Sequence, residues 1–220
     1  GLGEAKKGAR RGAAGWLRDY RLEDNLARLS RPTPAALAEV LGAKAAARVH
    51  RSLEAQPYRG LVIAMPYTPA SLAGPRTFAH AARYADFLVD TLLPQLHARA
   101  PTRPDAVGID GVSLGGRTAL LVALHRPAAF ARVGTLQAAF APRELPKLRR
   151  LAVRAAKAQP RYLLRLLTST RDPYRDINRK LHALLTDAGF ASELRIVPGA
   201  HNYAFNRGIG GLSMLLWHRR

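Results

Sequence analysis

Ser113 lies in the stretch GIDGVSLGGRTAL, with a glycine two positions before it and another two positions after it. A predicted strand, Ala106 to Val112, ends just before this serine, and a predicted helix, Arg117 to His125, follows it. The residue at a sharp strand-to-helix turn takes a strained backbone conformation, and Gly111 and Gly115 remove side chains that would collide with neighbouring chain. The pattern predicts a hydroxyl that stands clear above a sheet, as a nucleophile requires. The alternative is a small residue in a tight loop.

An acid and a histidine follow this serine, each just after a predicted strand. Asp172 lies in LLTSTRDPY after the predicted strand Tyr162 to Thr168, and His201 lies in RIVPGAHNY after the predicted strand Ser192 to Val197. The order serine, acid, histidine is that of the α/β-hydrolases, in which a G-x-S-x-G turn carries the nucleophile. Because ligands of open α/β sheets bind at the carboxyl ends of the strands, we expect the three side chains to meet at one edge.

Each of these side chains also has a structural interpretation. Asp172 precedes Pro173 and could serve only as a turn residue, while Asp176, a potential helix N-cap, is its rival as the acid. His201 could be an ordinary loop histidine, although the six other histidines lie at helix positions or at the chain terminus. Asp110, three residues before the serine, is expected to make a structural hydrogen bond.

The predicted elements alternate between helix and strand, which indicates an α/β fold. Strands are predicted at Gly60 to Met65, Ala106 to Val112, Arg132 to Gln137, Tyr162 to Thr168 and Ser192 to Val197. Helices are predicted at Trp16 to Leu29, Pro34 to Leu53, Thr77 to Leu96, Arg117 to His125, Leu145 to Ala158, Asp176 to Ala188 and Gly210 to Trp217. Residues Gly1 to Gly15 are predicted to form a loop, and Thr33 to cap the helix that begins at Pro34.

The composition is that of a globular protein with a basic surface. The 220 residues are 48% hydrophobic, lack cysteine and carry a formal net charge of +20. Without cysteine, disulfides, thiolate metal sites and cysteine nucleophiles are excluded. The basic residues are scattered and no nucleic-acid-binding motif accompanies them, so we expect a solvated basic surface and no specific nucleic-acid partner. No apolar run is long enough for a membrane span, which favours a soluble protein; the lack of disulfides fits the cytoplasm without excluding export.

Three segments resemble one known family. The run GVSLGGRTALLVALHRPAAFARV resembles the elbow region of the putative-esterase family of α/β-hydrolases, which includes esterase D-like and feruloyl esterase-like enzymes. Pro127 and Phe130 match the proline and phenylalanine that follow the elbow helix in that family. TSTRDPYRDINRKLHALL resembles the family's acid loop and VPGAHNYAFNRGI its histidine loop. The resemblance covers most of Leu61 to Trp217.

This resemblance implies an α/β-hydrolase fold, a mostly parallel sheet with helices on both faces, and the hydrolysis of small-molecule carboxylic esters. Ser113 would be the nucleophile, His201 the general base and then acid, and Asp172 the residue that orients the imidazole. No metal or organic cofactor is implied. An acyltransferase, a prolyl-oligopeptidase-like peptidase and a catalytically inactive, basic polyanion-binding domain remain as alternatives.

The chain departs from the family at the oxyanion hole. One N–H should come from Leu114, and the second from a loop after an earlier strand, but no such strand is predicted before Leu61. The opening GLGEAKKG resembles the continuation of an H-G-x-G-type loop. We therefore expect an amino-terminally truncated chain that lacks the first strands, with Gly1 and Leu2 as the remainder of the oxyanion loop.

One domain is expected over residues 1–220, with the oxyanion-loop remainder and a helical segment in 1–59 and the catalytic core in 60–220. Tyr67, Tyr203 and Phe205 lie in loops expected near the active edge. These aromatic side chains are candidates to line an acyl or aromatic substrate site; the alternative is that they only pack within the protein.

Overall fold

Four strands pair side by side in the computed structural model, which describes residues 2–74, 77–158 and 162–219. They are β1 (Gly108–Ile109), β2 (Arg132–Leu136), β3 (Leu163–Arg171) and β4 (Ser192–Ala200). All neighbouring pairs are parallel, and the order across the sheet is β1, β2, β3, β4. The carboxyl ends of the strands therefore share one edge, where the loops toward Ser113, Asp172 and His201 begin.

Helices precede, connect and follow the strands. They are α1 (Leu2–Ala5), α2 (Ala9–Ala13), α3 (Gly15–Arg18), α4 (Leu22–Ser30), α5 (Pro34–Leu41), α6 (Ala43–Ala55), α7 (Thr77–Asp86), α8 (Leu93–Arg99), α9 (Leu114–His125), α10 (Leu145–Ala156), α11 (Arg175–Asp187), α12 (Tyr203–Phe205) and α13 (Gly211–His218). A π-helical turn, Phe87–Leu92, joins α7 to α8, and another, Asn206–Gly210, joins α12 to α13. None of the helices within the described ranges has the length and apolar content that a bilayer crossing needs.

The connections between strands follow from local sequence. Helix α9 is buried on nearly every side, as expected for the apolar run TALLVAL next to a sheet. Helices α10 and α11 are amphipathic and bury one stripe each, with Leu148 and Leu181 fully inaccessible to solvent. Helix α11 ends before Gly189, whose φ of 96° suits glycine.

A buried charged pair lies beneath the turn that carries Ser113. The Arg165 guanidinium on β3 approaches the Asp110 carboxylate to 3.6 Å, and both side chains are almost fully buried. A Cβ atom at Gly134 on β2, the strand between them, would overlap that carboxylate. Burial lowers the pKa of Arg165, and the neighbouring Asp110 opposes this effect. Asp110 also accepts a hydrogen bond from the Gly111 N–H at 2.7 Å, so its predicted structural role is confirmed.

The contacts within the chain divide it into two compact units. The first unit comprises residues 1–12 and 67–201, and its core includes Leu121, Val133 and Leu166. The second unit comprises residues 13–66 and 202–220, and its core is built on Leu29, Leu37 and Leu212. The expected boundaries within a single domain, 1–59 and 60–220, stay a prediction.

Most predicted elements are confirmed, with ends that shift by a few residues. Strands β1 to β4 lie within or extend the predicted strands, and the Thr33 side chain caps α5 by accepting from the Ala36 N–H at 3.1 Å. Predicted helices Trp16 to Leu29 and Pro34 to Leu53 are each split in two, at Arg21 (φ 49°) and Gly42 (φ 75°). The helix predicted at Thr77 to Leu96 continues to Arg99.

Two predictions about the amino-terminal part are wrong. Residues 2–15 do not form one loop, because α1 and α2 occupy much of it; Ala, Arg and Glu favour helix, and Gly8 with φ 79° separates the two. Gly60 to Met65 is not a strand, since none of the described strands pairs with it. Its apolar side chains are partly exposed, with Val62 52% accessible.

Candidate active site

Ser113 occupies the sharp turn between β1 and α9 with the strained backbone that the sequence predicts. Its φ is 55° and its ψ is −113°, a combination that residues with a side chain rarely adopt. The Ser113 N–H donates to the Leu136 carbonyl at 2.8 Å, and its own carbonyl accepts from the Arg117 N–H at 3.0 Å and the Ala139 N–H at 3.2 Å. The end of β2 and the first turn of α9 therefore hold the conformation in place.

The glycines around this turn have different roles from those predicted. A Cβ atom at Gly111 would collide with the Gly115 carbonyl group, so the prediction for Gly111 is confirmed. The prediction for Gly115 is wrong, because a Cβ atom there would meet no atom within 4 Å. The second crowded position is Gly116, whose Cβ would lie 2.8 Å from the Gly111 carbonyl oxygen and 3.3 Å from the Leu136 backbone.

Hydrogen bonds connect the three side chains singled out in the sequence. The His201 Nε2 atom lies 3.1 Å from the Ser113 Oγ atom, and the His201 Nδ1 atom lies 2.9 Å from the Asp172 Oδ1 atom. A carboxylate can only accept, so Nδ1 donates to Asp172 and Nε2 is left to accept the serine proton. All three residues belong to the first unit and follow strand ends at the same edge of the sheet.

Asp172 is held in one orientation. Its side chain is inaccessible to solvent, whereas 24% of the His201 side chain is exposed. The carboxylate also accepts from the Thr168 hydroxyl at 2.5 Å and from the Tyr174 N–H at 3.0 Å. These partners compensate for its burial. The rival Asp176 lies instead on the exposed surface of α11, where it pairs with Arg175 and Arg179.

Sequence reasoning missed Gln137, which directly follows β2 at the same edge. This residue is fully buried, with a φ of 51°. Its side-chain amide donates to the Ser169 hydroxyl at 2.7 Å and to the Ala200 carbonyl at 3.0 Å. It therefore ties the ends of three strands together, immediately before His201. Its position in the sequence could have identified it, since a polar residue just after an apolar strand lies at the carboxyl edge of the sheet.

Two of the three predicted oxyanion-hole residues, Leu114 and Leu2, lie within the described residues. Leu114 is the first residue of α9, and the first N–H groups of a helix have no partner inside it. Leu2 begins the four-residue helix α1, and Gly1 lies outside the described residues. The contribution of these residues to an oxyanion hole stays a prediction.

The three aromatic residues expected to contact substrate have other partners. The Tyr67 hydroxyl donates to the Ala5 carbonyl at 2.7 Å. Tyr203 and Phe205 both belong to the second unit: Tyr203 is 42% exposed, with its ring 5.5 Å from that of Tyr20, and Phe205 is buried. Their contact with substrate stays a prediction. Among the residues that the structure describes, no three histidine or carboxylate side chains form a group that could hold a metal ion.

The sequence match to known families covers the segment with the serine. Residues 61–158 match the family model described as "Putative esterase", a range that includes β1, Ser113, α9, β2 and α10. Over these residues the chain is similar to that esterase family. Asp172 and His201 lie beyond the matched segment, so their assignment depends on the hydrogen bonds described above. The chain matches none of the curated proteins with which it was compared.

Solved structures with a similar fold are hydrolases. S-formylglutathione hydrolase FrmB of Staphylococcus aureus is 20% identical with a TM-score of 0.60, over 79% of this chain and 73% of its own. The fluorophosphonate-binding serine hydrolase FphF of the same organism is 18% identical with a TM-score of 0.59, over 79% and 76%. The enterobactin esterase FES of Shigella flexneri is 25% identical with a TM-score of 0.51, over 66% and 40%. These likenesses show the α/β-hydrolase fold, and the match of residues 61–158 to the esterase family model supports a carboxylic ester hydrolase.

Proposed function

We propose that the chain hydrolyses small-molecule carboxylic esters through a Ser113, His201, Asp172 triad and an acyl-enzyme on Ser113. The observation that carries this proposal is the hydrogen-bonded series from Asp172 through His201 to the Ser113 Oγ atom. The strained turn supports it, because it presents the hydroxyl at the beginning of a helix, where a developing negative charge is stabilised.

The reaction has two halves. His201 Nε2 takes the proton as Ser113 Oγ attacks the ester carbonyl, and the protonated imidazole then gives that proton to the departing alcohol. Water next attacks the acyl-enzyme, His201 accepts a proton from it, and the carboxylic acid leaves as Ser113 regains its hydrogen. Asp172 keeps Nδ1 protonated and stabilises the imidazolium in both halves. The Leu114 N–H is the proposed donor to the oxyanion, and Leu2 or Gly1 the proposed source of a second.

The test is the hydrolysis of 4-nitrophenyl acetate by the purified chain and by Ser113→Ala and His201→Ala variants. We expect rapid 4-nitrophenolate release by the wild type and a loss of kcat/KM of at least about 10⁴-fold in each variant. Circular dichroism spectra that match the wild type would show that both variants are folded. Hydrolysis that survives Ser113→Ala would refute the proposed nucleophile.

The assay also separates the alternatives that share this triad. Acetate released in step with nitrophenolate indicates hydrolysis, whereas an acetylated product that appears when alcohols or amines are added indicates acyl transfer. Cleavage of a 4-nitroanilide would indicate a peptidase. A folded wild type that turns over none of these substrates would leave the polyanion-binding domain as the alternative.

A further inference from the structure

A cavity of about 870 Å³ lies beside the proposed active site, within the first unit. The loop that follows β2 and the first turns of α10 and α11 form much of its wall. Its apolar surface includes Phe78, Phe140 and Ile177. This size is in the range of cavities that hold small-molecule ligands, and an apolar wall suits a hydrocarbon or aromatic group.

Residues that contact the triad form part of the cavity wall. Tyr174 lines the cavity, donates its N–H to Asp172 and packs its ring 5.4 Å from that of His201. Ala139 also lines it and donates its N–H to the Ser113 carbonyl at 3.2 Å. The wall of the cavity therefore includes one residue bonded to Asp172 and another bonded to Ser113.

Three cations on the cavity wall lack a carboxylate partner. Arg143, Lys147 and Lys180 line the cavity, and none forms an ion pair within residues 2–74, 77–158 and 162–219. The Lys147 ammonium group lies 4.6 Å from the centre of the Phe78 ring, which places it over the apolar wall.

The two acids on the same wall are already paired. Glu144 forms an ion pair with Arg117 of α9 and accepts a hydrogen bond from the Ala141 N–H at 2.8 Å. Asp176 pairs with Arg175 and Arg179. The cavity therefore combines an apolar wall with three cations whose charge is uncompensated by these acids.

We propose that this cavity binds the anionic group of the substrate, so that the preferred esters carry a carboxylate on their acyl or alcohol part. The proposal rests on the proposed ester hydrolysis at Ser113. An anion in the cavity would gain charge-assisted hydrogen bonds from these lining cations, while the hydrocarbon that links it to the ester would contact the apolar wall.

Two pairs of esters test which substrates are preferred. For the acyl part, the anionic 4-nitrophenyl hydrogen glutarate is compared with its neutral methyl ester by nitrophenolate release. For the alcohol part, 4-acetoxybenzoate is compared with methyl 4-acetoxybenzoate by acetate release. At low salt we expect one anionic ester to have a kcat/KM about tenfold above that of its neutral counterpart, and we expect added salt to reduce the preference.

Charge-removing variants separate a site from the attraction of the whole basic protein. Lys147→Gln and Lys180→Gln should each lower the anionic-to-neutral ratio of kcat/KM about threefold, as expected for ion pairs of exposed lysines. Lys157→Gln removes the same charge from an exposed position at the end of α10 that does not line the cavity, and it should leave the ratio unchanged. No preference in the wild type, or an equal loss in Lys157→Gln, would overturn the proposal.

A binding measurement distinguishes failure of the site from failure of the proposed function. Calorimetric titration of the Ser113→Ala variant with 4-acetoxybenzoate and 4-nitrophenyl hydrogen glutarate should show binding of at least one, with Kd raised about threefold by adding Lys180→Gln. Binding of this kind without hydrolysis by the wild type would support the anionic site and refute the esterase mechanism. Hydrolysis without a preference for anionic esters would support the esterase mechanism and refute the anionic site.

Discussion

Asp172 and Asp176 are four residues apart, but only Asp172 contacts the imidazole of His201. Asp172→Asn replaces the acceptor of the Nδ1 proton with an amide that can donate, which favours the wrong tautomer of the histidine. We expect kcat for 4-nitrophenyl acetate to fall about 10⁴-fold, as for the equivalent change in a serine protease. Asp176→Asn, the matched control, changes an acid that lines the proposed anion cavity but has no hydrogen bond to the triad, so it should keep wild-type kcat for this neutral ester. Equal losses in the two variants would contradict the assignment of the acid.

Gly111 and Gly115 flank Ser113 symmetrically in the sequence but not in their packing. Gly111→Ala places a methyl group against the Gly115 carbonyl, and we expect a loss of about 1–3 kcal/mol in the free energy of unfolding. Gly115→Ala enters open space at the start of α9, so unfolding should change by less than about 1 kcal/mol. Urea titrations of both variants measure the difference. Equal stability would show that the turn does not need a glycine at position 111.

At the scale of single residues, the sequence predicted which side chains carry the chemistry more reliably than it predicted how those side chains pack. Ser113, Asp172 and His201 were found because their residue types are reactive and each follows a predicted strand. The contribution of Gly116 could not be predicted, since it depends on how closely the Gly111 carbonyl and the Leu136 backbone approach it. The hydrogen bonds from Thr168 and Tyr174 to Asp172 could not be predicted either, because they depend on the conformation of the loop.

At the scale of elements, Gln137 connects the strand ends that carry the acid and the histidine. Gln137→Met keeps most of the side-chain volume but removes hydrogen bonds to Ser169 and to the Ala200 carbonyl. With His201 less firmly positioned, we expect kcat to fall about tenfold, given about 0.5–1.5 kcal/mol for each of the two bonds, while KM changes little. Steady-state kinetics with 4-nitrophenyl acetate test this. A rise in KM with kcat unchanged would instead indicate a role in substrate binding.

Strands that have a partner in the sheet were predicted well, and the one predicted strand without a partner was wrong. The runs that became β2 and β3 are largely apolar and buried, because both faces of the central part of a parallel sheet are covered. Gly60 to Met65 has the same composition, but a strand also needs a neighbour to accept its backbone hydrogen bonds. Composition cannot show whether that neighbour exists. An apolar run alone is therefore insufficient to predict a strand.

At the scale of the whole molecule, the two units have separate hydrophobic cores. Leu37 is fully buried in the core of the second unit and Leu148 in that of the first. Truncation to alanine should cost about 2–5 kcal/mol in either core. We expect Leu37→Ala to accelerate hydrogen exchange mainly in α4, α5 and α6, and Leu148→Ala mainly in the first unit, as measured by mass spectrometry of peptides. Uniform acceleration over the whole chain in both variants would show that the two cores unfold together.

The most direct test of the central claim is the reaction of the folded chain with a fluorophosphonate, with the modified residue located by mass spectrometry. This reagent phosphonylates a serine only where its hydroxyl is activated as a nucleophile. We predict one adduct on Ser113, no adduct in Ser113→Ala, and labelling of His201→Ala that is slower by at least about 10²-fold. A folded wild-type chain that remains unlabelled, or that is labelled on another serine, would contradict the account.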